Sequence, residues 1–437
     1  MTAQLRAAHR EPAVRPGTAL PVAVLAGVAL TIVVGVTLDR RGVMLGTPLP
    51  PFVGDLEPRG AWPAVPVAAL LAGAALLAPR LRAPRLSPWA FALAALVLAL
   101  VLRVALSTAR NGPGGWFYVF DSSFEAPNEY LPALPALSYG AGVFLDRFAE
   151  VIPSLPVHSA GHPPGLLLVM HALGIDGPRA LAALLIGVGA LAVPLTYVLG
   201  RELLDDGQAR IAVLLLVFAP SALYAGATSA DALFAALGVL AAVGLLARPL
   251  VARTVGAAAL AVSALFSYAL LAVGAWATLV VLRRAGLVRA VALGLACATA
   301  LAALAAGLWA ATGYDAVGAL RATDQVYGFS LATMRPYAYW VVGSPAAWLA
   351  AMGPPLAWYA LRALAAGRTP ALALAAVILV AAVLGFSKAE TERIWVFFVP
   401  LACVAAAEVL PPERLRLVLV LLAAQAFAVE LLLVTVW

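Results

Sequence analysis

Long apolar runs separated by short arginine-bearing loops recur along nearly the whole chain. An apolar stretch of about 18 residues or more can cross the hydrocarbon core as a helix. Thirteen spans are expected, at roughly 19–38, 61–78, 89–107, 178–200, 208–228, 230–248, 254–267, 269–283, 288–311, 337–361, 369–386, 394–410 and 417–436. Within lipid every backbone polar group has to be satisfied inside its own segment, which favours helices, and the alternating pattern of a transmembrane β-barrel is absent. The short runs at 254–267 and 269–283 read as a hairpin. Arg253 precedes them and Arg283 and Arg284 follow, flanks that a single crossing would put on opposite sides. The expected fold class is all-α, a polytopic integral membrane protein.

Composition sharpens this picture. Hydrophobic residues make up 64% and charged residues 11% of the chain, and the mean hydropathy is +0.99. Soluble domains carry about 25% charged residues and need polar cover that this chain lacks. The net charge of +7 does not point to nucleic acid, because the arginines sit in short loops between spans, as the positive-inside tendency expects. With the N-terminus in the cytoplasm, the interior loops hold Arg6, Arg10, Arg15, Arg80, Arg82, Arg85, Arg201, Arg210, Arg248, Arg253, Arg283, Arg284, Arg289, Arg362, Arg368, Arg414 and Arg416, most of the 28 basic residues. Most acidic residues fall on the other side, from Asp39 and Asp55 to Glu390 and Glu392. The run at 19–38 is long enough to span and lacks the short apolar core of a cleavable signal. Cys297 and Cys403 lie inside apolar runs and read as small core residues.

The chemistry is expected in the one long polar and aromatic segment, 108–177, since loops of this length in compact proteins are usually functional. Asp121, Glu125 and Glu129 recur there at a spacing of four, which on a helix would align three carboxylates on one face, although Pro127 opposes a continuous helix. Such a carboxylate is a candidate general base; a solvated acidic loop is the plainer alternative. Leu137 to Val151 reads as an interfacial helix, with Leu137, Val143, Phe144, Phe148 and Val151 against Asp146, Arg147 and Glu150. His162-Pro163-Pro164-Gly165 then precedes an apolar run too short to span. Its prolines suit a helix start, its glycine permits close approach, and its histidine is a candidate catalytic or anchoring group. His158 is nearby, but no ligand triad at metal spacing is visible, and no metal site is expected.

A second cluster runs from Gly385 to Trp395 and contains Lys388, the only lysine in the chain. Lys388 and Arg393 sit at the exterior ends of spans, against the positive-inside tendency, and so need partners. A lipid phosphate is one candidate, and a salt bridge to Glu390 or Glu392 is the other. Arg321 and Arg335 are placed to join such a site. Asp231, after Thr228-Ser229-Ala230, reads as a helix N-terminal charge.

In order and spacing, these features resemble the GT-C superfamily of polyprenyl-phosphate-sugar-dependent glycosyltransferases, notably protein O-mannosyltransferases and aminoarabinose transferases. The likeness runs from about Val101 to Pro400. Asp121, the 137–151 segment, His162-Pro163-Pro164-Gly165, Arg179, Gly200-Arg201, Thr228 to Leu233 and Lys388 to Pro400 follow the family's order. Residues 1–88 would then be a cytoplasmic N-terminus with an added transmembrane hairpin, and 89–437 the family bundle with its exterior catalytic loop at 108–177. The resemblance implies an inverting hexosyl or pentosyl transfer at the exterior face of the plasma membrane, from a polyprenyl-phosphate sugar to a glycan, lipid or protein acceptor. It implies Asp121 as base, with Asp39 as rival because the family's acidic residue lies close to a span end. Glu125 or His162 would orient the reactants, and Lys388, Arg393, Arg321 and Arg335 would hold the donor phosphate. No cofactor is required on this reading, although acidic pairs hold a divalent cation in some members of the superfamily. A lipid-linked saccharide carrier without catalysis, or a structural subunit of a membrane complex, are the alternatives.

Overall fold

A computed structural model of the protein describes residues 17–59 and 62–435. Arg6, Arg10 and Arg15, expected in the cytoplasm, lie outside the described residues. The chain is almost entirely helical: α1 Ala19–Arg40, α2 Ala64–Leu77, α3 Pro88–Asn111, α4 Gly165–Leu173, α5 Pro178–Leu203, α6 Asp206–Phe218, α7 Pro220–Thr228, α8 Asp231–Leu246, α9 Leu250–Ala264, α10 Leu271–Ala285, α11 Leu287–Thr312, α12 Ala316–Gly328, α13 Tyr337–Ala351, α14 Pro354–Ala365, α15 Thr369–Leu384, α16 Val399–Ala407 and α17 Leu415–Leu432. The one ladder between named strands pairs β1, Asp55–Leu56, antiparallel with β2, Leu433–Val434, and joins the loop after α1 to the end of the last helix.

Among the described residues, seven helices are long and apolar enough to cross a membrane, and nine if each of two bent pairs, α6–α7 and α14–α15, is one span. The difference from thirteen expected spans has local causes. Helices α8 and α9 are shorter than the roughly 17–25 residues a perpendicular crossing needs. The run at 337–361 breaks at Gly353, whose φ of +106 is a left-handed conformation open to glycine. The run at 394–410 begins as short irregular turns before α16. The runs at 254–267 and 269–283 are two separate helices, as the arginine pattern required. Only 11% of the apolar window of α1, and the same share of α11, is buried by protein, so both present apolar flanks that lipid has to cover.

Small residues set the helix approaches. At the α8–α9 crossing a Cβ on Gly244 would stand 2.5 Å from Gly256 Cα, and one on Gly256 would stand 2.3 Å from Leu245 N. Backbones this close are typical of membrane helix pairs. The two N-terminal helices pack in different places, α1 against α13 and α14, and α2 against α3 and α17.

The loops sort by end. Arg210 donates to the Leu86 carbonyl at 2.8 Å and pairs with Asp206, which also holds Arg201 at 2.6 Å. Arg284 reaches the Leu203 carbonyl and Gln208 reaches that of Glu408. These loops, all read from the sequence as interior, meet at one end of the bundle. The 137–151 segment is broken at Arg147 into Ala141–Asp146 and Phe148–Val151. It buries Leu137, Phe144 and Phe148 against the bundle and turns Asp146, Arg147 and Glu150 outward.

Because the α8–α9 contact has no room for a methyl group, Gly256→Ala is expected to cost about 1–3 kcal/mol through overpacking and to lower the melting temperature in detergent. Gly294→Ala on α11, where an added Cβ meets nothing within 4 Å, is expected to leave it unchanged.

Candidate functional site

At the other end of the bundle, three stretches of chain converge. The first follows α3. A 3-10 run, Gly112–Phe120, folds back on the helix end, and a Cβ at Gly115 would overlap the Ser107 carbonyl. Ser122 Oγ then accepts from Glu125 N at 3.0 Å, and Pro127 sits in a 3-10 turn, Ala126–Asn128. The three carboxylates therefore do not share a helix face. Glu125 and Glu129 are buried, whereas Asp121 is exposed. The second stretch is the short helix Val157–Ala160, which carries His158. His158 Nε2 lies 2.8 Å from Glu125 Oε1 and 3.8 Å from Glu129 Oε1.

The third stretch is the turn at 385–395. Ala389 and Glu390 adopt φ of 68 and 61, a left-handed pair without glycine that costs of order 1–3 kcal/mol per residue and persists only where its surroundings hold it. Arg393, buried, holds Asp231 Oδ2 at 2.8 Å and Ser229 Oγ at 3.3 Å through Nη1, and Glu390 Oε2 at 3.1 Å through Nη2. Arg335 takes the other Glu390 oxygen at 3.1 Å and donates to the Lys388 carbonyl at 2.7 Å and the Gly46 carbonyl at 3.4 Å. Glu392 Oε1 accepts from Val53 N at 2.7 Å, while Oε2 has no hydrogen-bond partner. Segments read from the sequence as exterior thus meet at this end.

Burial pushes the Glu129 carboxyl above its ordinary value, against the pull of His158 and Arg393. Burial alone would lower the His158 imidazole, but the Glu129 charge and the bond to Glu125 reverse this and raise it. Burial would likewise raise Glu390, but Arg393 and Arg335 hold it below the usual carboxylate range. Burial raises Glu392 to about 7, with the Val53 amide opposing. Burial works against the Arg393 charge, and Asp231 and Glu390 overcome it and raise its pKa.

The expected site residues divide. Glu125, Arg335, Arg393 and Lys388 come together at this end. Lys388 is half-buried, and its Nζ donates to the Ala332 carbonyl at 3.3 Å without a carboxylate partner among the described residues. Arg393 and Arg335 were expected to meet a donor phosphate; the structure commits them to Asp231 and Glu390. Arg321 stands exposed on α12 and makes no side-chain bond among the described residues. His162 contacts neither carboxylate. It is half-buried between Tyr130, at 6.3 Å between ring centres, and Phe234, at 5.0 Å, and desolvation lowers it to about 4, so it is neutral. The HPPG glycine does permit close approach: Gly165 N donates to the Leu265 carbonyl at 2.7 Å, leaving no space for a Cβ. Asp121 and half-buried Asp39 make no side-chain hydrogen bond or ion pair among the described residues.

His158, not His162, is the histidine that engages Glu125, and Asp231 is more than a helix N-terminal charge. The available signal was Arg393 itself, a cation at the wrong end of a span. Comparison with protein-family models, curated proteins and solved structures gave no match.

Removing the Arg393 charge strands the buried Asp231 carboxylate and leaves half-buried Glu390 to Arg335 alone. Arg393→Met is expected to lose about 3–5 kcal/mol in thermal unfolding, whereas Lys388→Met is expected to lose little. Glu392 gives a pH signature. Between its ordinary 4.5 and about 7, the folded protein keeps a proton that the unfolded chain has released. Its contribution is therefore full below 4.5 and fades as pH rises through that window. Glu392→Gln is expected to flatten that part of the melting-temperature profile.

Proposed function

We propose that this chain is a membrane glycosyltransferase that moves a sugar from a polyprenyl-phosphate donor to a cell-envelope acceptor, with inversion. The observation that carries the reading is Lys388. It is a cation without a carboxylate partner among the described residues, beside buried acid–base groups, on a rim where Phe386 and Leu331 are exposed. A phosphate would complete that ammonium, and an isoprenoid tail would cover the apolar neighbours. The family likeness supplies the direction of the chemistry.

On this reading the acceptor oxygen bonds to the anomeric carbon as the bond from that carbon to the phosphate oxygen breaks. Asp121, exposed four residues before Glu125, takes the hydroxyl proton. Lys388 stabilises the charge gathering on the departing phosphate. Arg335 and Arg393 hold the Lys388 loop rather than the phosphate itself. The site end faces the exterior of the plasma membrane. Thirteen crossings result if α6–α7, α8, α9, α13–α14, α15 and the 394–410 segment each cross with the seven long helices.

One observation favours a carrier instead. Arg103 is buried in α3, makes no side-chain hydrogen bond or ion pair among the described residues, and borders a cavity of about 10 Å³, room for about one water. An intramembrane cation of this kind commonly marks a substrate path.

Purified protein in lipid, given labelled polyprenyl-phosphate sugars and a membrane acceptor extract, separates the two. Wild type and Asp39→Asn are expected to move label to the acceptor. Asp121→Asn is expected to lose about 10²–10⁴-fold in rate, and Lys388→Met to lose transfer as well. Label that crosses the bilayer without reaching any acceptor would replace the transferase by the carrier.

A further inference from the structure

The charges at the site end do not balance. Glu125, Glu129, Asp231 and Glu390 face two guanidinium groups, those of Arg335 and Arg393, and one imidazole, that of His158. Asp231 and Glu390 are matched by the arginines, so Glu125 and Glu129 share the single His158 ring nitrogen. The Glu129 side chain is only 4% exposed. Its carboxylate receives no hydrogen bond from any described residue, and it points at the same ring nitrogen that meets Glu125. A buried carboxylate whose nearest cationic atom is a ring nitrogen at 3.8 Å, shared with a second carboxylate, is poorly compensated.

We propose that Glu125, Glu129 and His158 bind one divalent first-row metal ion, of the Mn²⁺ or Zn²⁺ class. One ligand atom from each residue lies within 4.8 Å of the others. Donors held at the usual 2.0–2.2 Å around a tetrahedral ion stand about 3.4 Å apart. The observed 2.8 Å and 3.8 Å from His158 Nε2 bracket that spacing. An imidazole with two carboxylates suits these ions better than Mg²⁺ or Ca²⁺, which prefer all-oxygen shells. With His158 neutral as a ligand, the two positive charges of the ion offset the Glu125 and Glu129 carboxylates. Three protein ligands leave a coordination position open, and the His158 side chain, 12% exposed, marks the side from which an ion and a further oxygen ligand enter. Glu125 and Glu129 flank a 3-10 turn, and His158 follows them by 33 and 29 positions on a four-residue helix, so no linear metal motif announces the set.

This inference rests on geometry and charge, not on sugar transfer, and its test reads neither transfer nor transport. Full-length, tag-free protein in nanodiscs is stripped with EDTA, dialysed against Mn²⁺ or Zn²⁺, and its bound metal counted by mass spectrometry. Wild type is expected to keep one ion per chain. Glu129→Gln and His158→Gln, each confirmed monodisperse, are expected to keep less than a tenth as much. Because either variant could misfold, the wild type carries an independent readout: electron spin echo of bound Mn²⁺ is expected to show imidazole nitrogen coupling. The site is overturned by any of three results. These are a wild type that retains no stoichiometric ion, bound Mn²⁺ without nitrogen coupling, or folded variants that bind as well as wild type. In each case protons, rather than a metal, would neutralise Glu129 and bridge it to His158.

Discussion

The buried guanidinium of Arg393 organises the site end of this protein. A charge that deep is tolerated only when its donors and its countercharge are both supplied. Asp231 and Ser229 supply them from the start of α8, and Glu390 from the turn that Arg393 itself follows. Glu390 is shared with Arg335, whose other donors reach the loop after α1 and the Lys388 carbonyl. Four distant parts of the chain are thereby fixed to one another by a single alternating row of charges. The left-handed pair at Ala389 and Glu390 is intelligible in this setting. The turn is strained because the carboxylate has to face two arginines at once, and the ion pairs offset the strain.

The row depends on an apolar scaffold that lets α8 enter the bundle closely. A Cβ on Gly189 of α5 would stand 2.7 Å from Ala232 Cβ, and Gly244 and Gly256 bring α9 against the far end of the same helix. With no hydrophobic drive between helices in lipid, such contacts gain their stability from close packing. They also decide where Asp231 stands. The same logic holds at Gly165, where α4 starts against the Leu265 carbonyl and the preceding His162 is pressed into an aromatic, neutral position.

The basic residues of the bundle consequently divide by electrostatic state. Arg335, Arg393 and Arg210 are satisfied by carboxylates and carbonyls and act as structure. Lys388 and Arg103 have no carboxylate partner among the described residues. The acidic groups divide in the same way, with Asp231 and Glu390 satisfied and Glu129 not. Function is most economically sought where this internal matching stops, at the Lys388 rim and between Glu125, Glu129 and His158.

The sequence by itself determined the solvent and the element type. Apolar runs of this length and number have no stable home in water, and lipid admits them only as helices. It also determined which loops share an end. Arginine-rich segments such as those at Arg85, Arg201, Arg210 and Arg284 met one another, and the acidic segments met at the opposite end, because each crossing reverses the side. It pointed correctly to the close approach at Gly165 and to Arg393 as a cation needing partners. Which partners they were, only the tertiary structure decided. Asp231 and Arg393 are 162 positions apart and His158 and Glu125 are 33 apart, so no periodicity along the chain relates them. The four-residue spacing that seemed to unite Asp121 with Glu125 and Glu129 failed because Ser122 and Pro127 form turns instead of a helix. The number of long helices was likewise not legible in the apolar runs, because Gly353 and the turns before α16 break stretches that read as continuous.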